Sequence, residues 1–266
     1  MLDTPLSRQP VLFLGHGSPM NAIEDNRWSR AFIDLGKSLH APRAVLAISA
    51  HWFIDDTALT GDQAPKTIHD FGGFPRALYE VEYPAPGDRA LAAEIASLLG
   101  PDAALRNDWG LDHGTWSVLR HLRPKADIPV IQLSIDANKS PAEHLALAAR
   151  LSPLRDRGVL ILGSGNLTHN LRHAMQSLHR GDTSTPDWAA RFDADLVRAI
   201  GQRDDKFLIN ALSTPDGRLS HPSPDHYLPI LYSYGASDER DIPSYPIEGF
   251  DLGSLSMRSV SWTASG

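Results

Sequence analysis

Four short aliphatic runs, residues 11–14, 43–49, 128–134 and 158–162, are spaced along a chain of 266 residues. They are rich in Val, Ile and Leu and bounded by turn formers and polar residues, the pattern of strands buried in a sheet. Between them the apolar spacing becomes helical. Trp28, Phe32, Leu35 and Leu39 recur at steps of four, three and four, which puts them on one helical face. Leu91, Ile95 and Leu98 repeat that spacing between Asp88, an N-cap residue, and Gly100, a C-terminal stop. Ser140-Pro141-Ala142-Glu143 is a capping box with proline in the first turn, so a helix runs from there to about Leu151. Trp188, Phe192, Leu196 and Ile200 share a face and predict another helix from near Thr185-Pro186. Strands alternating with helices predict an α/β fold: one domain over residues 1–266, a central mixed sheet flanked by helices.

Residues 62–87 break this rhythm. They hold His69-Asp70-Phe71-Gly72-Gly73-Phe74-Pro75 and Tyr83-Pro84-Ala85-Pro86-Gly87, too many turn formers for a regular element. Long loops of this kind in compact domains are functional or disordered, and the aromatic content predicts an ordered one.

Composition narrows the chemistry. The chain has no cysteine and 12 histidines, so thiolate zinc sites, iron–sulfur clusters and thiol nucleophiles are excluded, leaving His, Asp and Glu as the strong metal ligands. A chain of this length buries a core without structural staples, so a metal here serves chemistry. With 25 basic and 32 acidic residues, a formal charge of -7 and no Lys/Arg block, nucleic acid is not an expected partner. No apolar run approaches the roughly 18 residues that span a bilayer, and residues 11–14 are too short for a signal-peptide core. The expectation is a cytoplasmic protein without a membrane partner, as a monomer or a small homo-oligomer.

In open α/β sheets, ligands bind beyond the carboxyl ends of strands. His16 follows the run at 11–14, with Gly17-Ser18-Pro19 turning the chain behind it; His51 follows residues 44–50. His169 follows the run at 158–162 through Gly163-Ser164-Gly165-Asn166. His226 comes from the loop His221-Pro222-Ser223-Pro224-Asp225-His226, and His113 lies at a loop-to-helix junction between Trp109 and Trp116, with Asp112 as cap. Any one of these could be a packed or turn-capping imidazole; several at strand ends point to a metal site. Three converging neutral imidazoles would suit Zn, Fe or Cu. His69 reads more naturally as a loop residue than as part of a lid. Ser18 and Ser164 do not fit the nucleophile elbow Gly-x-Ser-x-Gly, and the Gly163 turn lacks the lysine and spacing of a phosphate loop.

The segments Leu14-Gly15-His16-Gly17-Ser18-Pro19-Met20, Ser49-Ala50-His51-Trp52, His69 to Pro75, Tyr83 to Gly87, Leu111-Asp112-His113-Gly114-Thr115-Trp116, Gly163 to Asn170 and His221 to His226 closely resemble the class III extradiol ring-cleavage dioxygenases. The nearest branch is the 4,5-DOPA extradiol dioxygenase-like proteins. The motifs run in family order over nearly the whole chain. The resemblance implies a fold like the catalytic subunit of protocatechuate 4,5-dioxygenase. It makes His16, His51 and His226 metal ligands, with histidine where the wider class has a glutamate. It makes His169 the active-site base or a fourth ligand, and His113 a histidine of the substrate pocket. Three neutral ligands would leave the metal at a formal +2, favouring a doubly deprotonated catecholate. The implied reaction opens a catechol such as L-DOPA with O2 to a semialdehyde on Fe(II), with Zn(II) as an alternative bound ion. His169, or His113, would move the protons. Trp52, Phe71, Phe74, Trp116 and Tyr227 are candidate apolar walls for the aromatic substrate. Two other readings of the same histidines stand beside it: a zinc-dependent hydrolase, and a non-catalytic binding module on this fold.

Overall fold

The computed structural model describes residues 7–264. Ten strands occur in chain order: β1 (Val11–Gly15), β2 (Ala44–Ile54), β3 (Thr57–Thr60), β4 (Ala103–Arg106), β5 (Val130–Asp136), β6 (Val159–Gly165), β7 (Asp241–Ile247), β8 (Phe250–Asp251), β9 (Leu255–Ser256) and β10 (Ser259–Ala264). The helices are α1 (Arg27–Ser38), α2 (Arg76–Tyr79), α3 (Arg89–Leu99), α4 (His113–Leu122), α5 (Pro141–Ala149), α6 (Leu171–Arg180), α7 (Asp187–Gln202), α8 (Asp205–Asn210), α9 (Pro215–Ser220) and α10 (Leu228–Ala236). Eight strands form one mixed sheet in the order β4-β3-β5-β2-β6-β1-β10-β7. Its centre, β5-β2-β6-β1, is parallel, and β10 and β7 close one side antiparallel. β8 and β9 pair separately.

Alternation along the central strands sends side chains to two cores. Val11, Phe13, Leu46, Ile48, Ile131, Leu133 and Ile161 face α3, α5, α7 and α10. Leu12, Leu14, Val45, Ala47, Leu160 and Leu162 face α1 and α4. Both faces are covered, which is why the strands read as continuous apolar runs.

The local expectations are met closely where caps define them. Ser140 and Glu143 form both bonds of the capping box at α5, Asp88 caps α3 through Leu91 N–H, and Asp112 caps α4 through Thr115 N–H. In α3 the buried face is Leu91, Ala92, Ile95 and Leu99; Leu98, expected on it, is exposed. Trp188 in α7 is only partly buried. The loop at 62–87 is ordered by polar ties: Tyr83 Oη donates to the Arg123 carbonyl, Trp116 Nε1 to the Ile68 carbonyl, and His69 Nε2 lies 3.0 Å from the Val81 carbonyl. His69 is therefore a tie within the loop. No helix among the described residues is long and apolar enough to cross a membrane.

Arg155 and Asp241 form a fully buried ion pair, with Nη1 and Nη2 at 2.5 and 2.7 Å from the two carboxylate oxygens. Arg155 Nε also donates to the Gln9 carbonyl. The pair ties the turn before β6 to the start of β7, satisfying a charge that burial alone would make costly.

Candidate metal centre and substrate cavity

Five histidines meet beyond the ends of the central strands, each delivered differently. His16 directly follows β1, and Gly17, at φ 62°, turns the chain away behind it. His51 does not follow a strand end: β2 runs on to Ile54, and His51 sits in an irregularity of the β2–β5 register between Ile48 and Phe53. Bulges of this kind re-aim a side chain. His113 opens α4, with its backbone N–H donating to Asp70 Oδ1 at 2.9 Å. His169 lies four residues beyond β6 and is held by its N–H to the Ser220 carbonyl. His226 precedes α10; its carbonyl accepts from Asn166 N–H and packs so close to Gly165 that a Cβ there would run into it.

The ring geometry sorts the five. Ring centroids of His16, His51 and His226 lie 5.1, 5.2 and 5.0 Å apart, a nearly equilateral triangle. Imidazoles bound through one nitrogen at about 2.1 Å in tetrahedral directions have centroids roughly 5.2 Å apart. His51 and His113 are only 3.8 Å apart, and His169 and His226 stack at 3.5 Å with an interplanar angle of 2°. Those two pairs are too close for both members to ligate one tetrahedral ion. Nitrogen proximity alone groups His16, His51 and His113, whose ligand atoms lie within 4.8 Å of one another. The centroid triangle and the nitrogen grouping share His16 and His51 and differ in the third member, His226 or His113.

Four of the five rings, those of His16, His51, His113 and His226, have a polar partner on the Nδ1 side. His16 Nδ1 is 3.0 Å from Ser164 Oγ. Asp70 Oδ2 serves two rings, at 2.9 Å from His113 Nδ1 and 3.3 Å from His51 Nδ1. His226 Nδ1 is 2.5 Å from Asp225 Oδ2. Such partners fix ring orientation and leave the other ring nitrogen available. His16 Nε2 and His51 Nε2 approach to 3.3 Å.

Burial keeps His16, His51, His169 and His226 uncharged. It is the main cause depressing His16 and His226 well below the ordinary histidine value, and the neighbouring imidazoles add to it. Burial and then His113 push His51 down to about 3, although Asp70 opposes the shift. Burial takes His169 down to about 4 against the pull of Asp225. Burial would raise the Asp70 carboxyl, but its hydrogen bonds from His113 and its closeness to the His113 and His51 rings hold it low. At neutral pH these groups present imidazole lone pairs backed by carboxylates, the donor set that an Fe(II) or Zn(II) ion takes.

The five histidines open into a cavity of about 820 Å³, walled by Phe71, Phe74, Trp28, Leu171, Met175 and Leu255 among others. Of the expected aromatic walls, Phe71 and Phe74 line it. Trp52, Trp116 and Tyr227 do not: all three are buried in the core. Trp52 stacks on Trp109 at 5.7 Å, and Tyr227 Oη donates to the Leu208 carbonyl. Trp116 lies behind Phe71, anchoring the loop. Apolar spacing identifies these residues as buried without saying on which side of a helix the cavity opens. Asp70 and Asp225 were missed as ring partners. Their position next to His69 and His226 was the available signal, though Asp70 serves His113 and His51 rather than its neighbour.

The sequence profile of the catalytic LigB subunit of aromatic ring-opening dioxygenases matches residues 11–247. A protein of Escherichia coli K12 named 4,5-DOPA dioxygenase extradiol is 46% identical over 96% of this chain and 94% of its own. One of the same name from Beta vulgaris is 36% identical over 96% of this chain and 97% of its own. The crystal structure of an uncharacterized protein from Escherichia coli K12 superposes with a TM-score of 0.83 at 42% identity, covering 96% of this chain and 99% of that one. A matched profile that spans all five histidines, and relatives aligned over almost their full length, place the chain in the LigB family as a non-haem extradiol dioxygenase.

Proposed function

We propose that residues 1–266 act as one catalytic domain that opens the ring of a catechol, with L-DOPA the first substrate to test, on Fe(II) held by His16, His51 and His226. The observation that carries this reading is the triangle of ring centroids at 5.0–5.2 Å. His169, stacked on His226, and His113, paired to Asp70, stay outside that triangle. The bound ion supplies Lewis acidity and a template for the diol and O2. His169, neutral above about pH 4, takes a proton from a diol hydroxyl at its free ring nitrogen. The Asp225 carboxylate favours the imidazolium so formed and lets His169 return the proton to an O2-derived oxygen as the O–O bond and the ring C–C bond beside the diol break. His113 is the second proton carrier, with Nδ1–H held by Asp70 and Nε2 free. Phe71 and Phe74 wall the ring and keep water from it. Membership of a ring-opening dioxygenase family removes the support that the histidines alone lent to a zinc hydrolase or a binding module.

The test is anaerobic reconstitution with Fe(II), then L-DOPA in air, following O2 uptake and the yellow absorbance of a ring-opened semialdehyde. One O2 consumed per product supports the reading. A Zn(II) form as active as the Fe(II) form refutes the iron assignment, and oxidation to a quinone without ring opening refutes the reaction.

A further inference from the structure

The wall of the cavity carries a guanidinium with no carboxylate oxygen within 4.0 Å, although Asp251 on the same wall is near enough to feel its charge. Arg27 opens α1 and lines the cavity. Its guanidinium carbon sits 3.8 Å from the Trp28 ring centroid, and Nη2 donates to the Phe250 carbonyl at 3.0 Å. Gly249, at φ 115°, flanks this seat; a Cβ there would stand 3.3 Å from both Nη2 and the Trp28 ring. Among the described residues no carboxylate oxygen lies within 4.0 Å of Arg27, and its Nε and Nη1 have no partner. Some other exposed arginines have a carboxylate partner, Arg30 with Asp25, Arg76 with Glu80 and Arg106 with Asp108; what sets Arg27 apart from unpaired surface arginines is its place on the cavity wall. Arg27 is thus held in place by stacking and one carbonyl, with donors left over.

A stacked guanidinium with free donors is prepared for a planar anion, because little side-chain freedom remains to be lost on binding. The cavity, at about 820 Å³, is near the top of the roughly 300–1,000 Å³ range for small-molecule sites and leaves ample room beyond a bare catechol. Glu24 and Asp251 lie on the same wall, so it offers one cationic and two acidic groups, complementary to a zwitterion. We infer that Arg27 is a specificity-determining residue that binds a carboxylate ending the ring substituent of the substrate, with Glu24 and Asp251 receiving the ammonium of an amino-acid substituent. The inference rests on the ring-opening reading of this cavity.

The experiment measures kcat and KM of the Fe(II)-loaded enzyme and of Arg27→Met for L-DOPA, 3-(3,4-dihydroxyphenyl)propionate, dopamine and 4-methylcatechol. It also titrates 3-phenylpropionate, which has no diol, into the metal-free proteins. The preference for the two carboxylates over dopamine and 4-methylcatechol falls about 10- to 100-fold in Arg27→Met, the loss of a charge-assisted contact. The loss enters through KM, Arg27→Lys recovers part of it, and 3-phenylpropionate binding weakens in parallel. A preference changed less than about twofold, or an equal fall for all four substrates, overturns the inference. If the wild type opens no catechol yet binds 3-phenylpropionate through Arg27, the ring-opening reading fails and the carboxylate seat stands.

Discussion

Acid should unfold the metal-free protein well above the range in which carboxylates titrate. Burial holds His51 at about 3 and His144, His169 and His221 at about 4, whereas in the unfolded chain they titrate near 6.5. The unfolded chain therefore binds more protons, and the stability these groups contribute is complete above about pH 6.5 and lost as pH falls toward about 4. Between pH 7 and 5 each such histidine removes a little under about 2 kcal/mol, together about 7 kcal/mol. Asp112 works in the opposite direction: burial, then Asp70, raises it to about 6, which returns about 1 kcal/mol over the same interval. The net loss, about 6 kcal/mol, is comparable with the whole stability of an ordinary domain. His16 and His226, also depressed, add to it. Urea denaturation of chelator-treated protein at pH 7, 6 and 5 measures the loss. A fall below about 2 kcal/mol between pH 7 and 5 would refute the claim that these imidazoles are buried and neutral. Saturating metal should flatten the curve, since an ion that binds only the folded site adds to its stability.

Three further outcomes are expected. Asp241→Asn leaves the buried Arg155 guanidinium without its counter-charge and costs about 3–5 kcal/mol, a fall of about 10 °C in Tm by calorimetry; an unchanged Tm would show that the pair contributes nothing. His16→Ala and His51→Ala lose bound metal on elemental analysis, while His169→Ala keeps metal and loses turnover. Metal lost from His169→Ala as completely as from His16→Ala would make His169 a ligand. Gly165→Ala drives a methyl into the His226 carbonyl and lowers metal affinity in a chelator competition, with the far-UV spectrum intact; wild-type affinity would mean that the His226 loop yields freely.

Much of the fold is written in short-range chemistry. Ser140 with Glu143, Asp88 and Asp112 satisfy the first amides of their own helices, so those starts are legible within four residues of sequence. The runs at β1, β2, β5 and β6 are legible because both faces of the sheet are covered. The C-terminal strands β7 and β10 were not anticipated: β7 carries prolines at 243 and 246 and alternates buried with exposed positions near the sheet edge, a weak pattern against its surroundings.

The sequence by itself determined that His16 and His169 follow strand runs, that cysteine chemistry is absent, and, through its motifs, which family the chain resembles. Only the tertiary structure decided the rest. It put His51 inside a strand at a register irregularity, gave Asp70 to His113 and His51 across 43 and 19 positions of sequence, and separated the triangle of His16, His51 and His226 from the stacked His169. It also moved Trp52, Trp116 and Tyr227 from the cavity wall into the core. The reason is physical: caps and periodicity are set by neighbours along the chain, whereas a ring's distance to another ring depends on how sheet, helices and loops pack against one another.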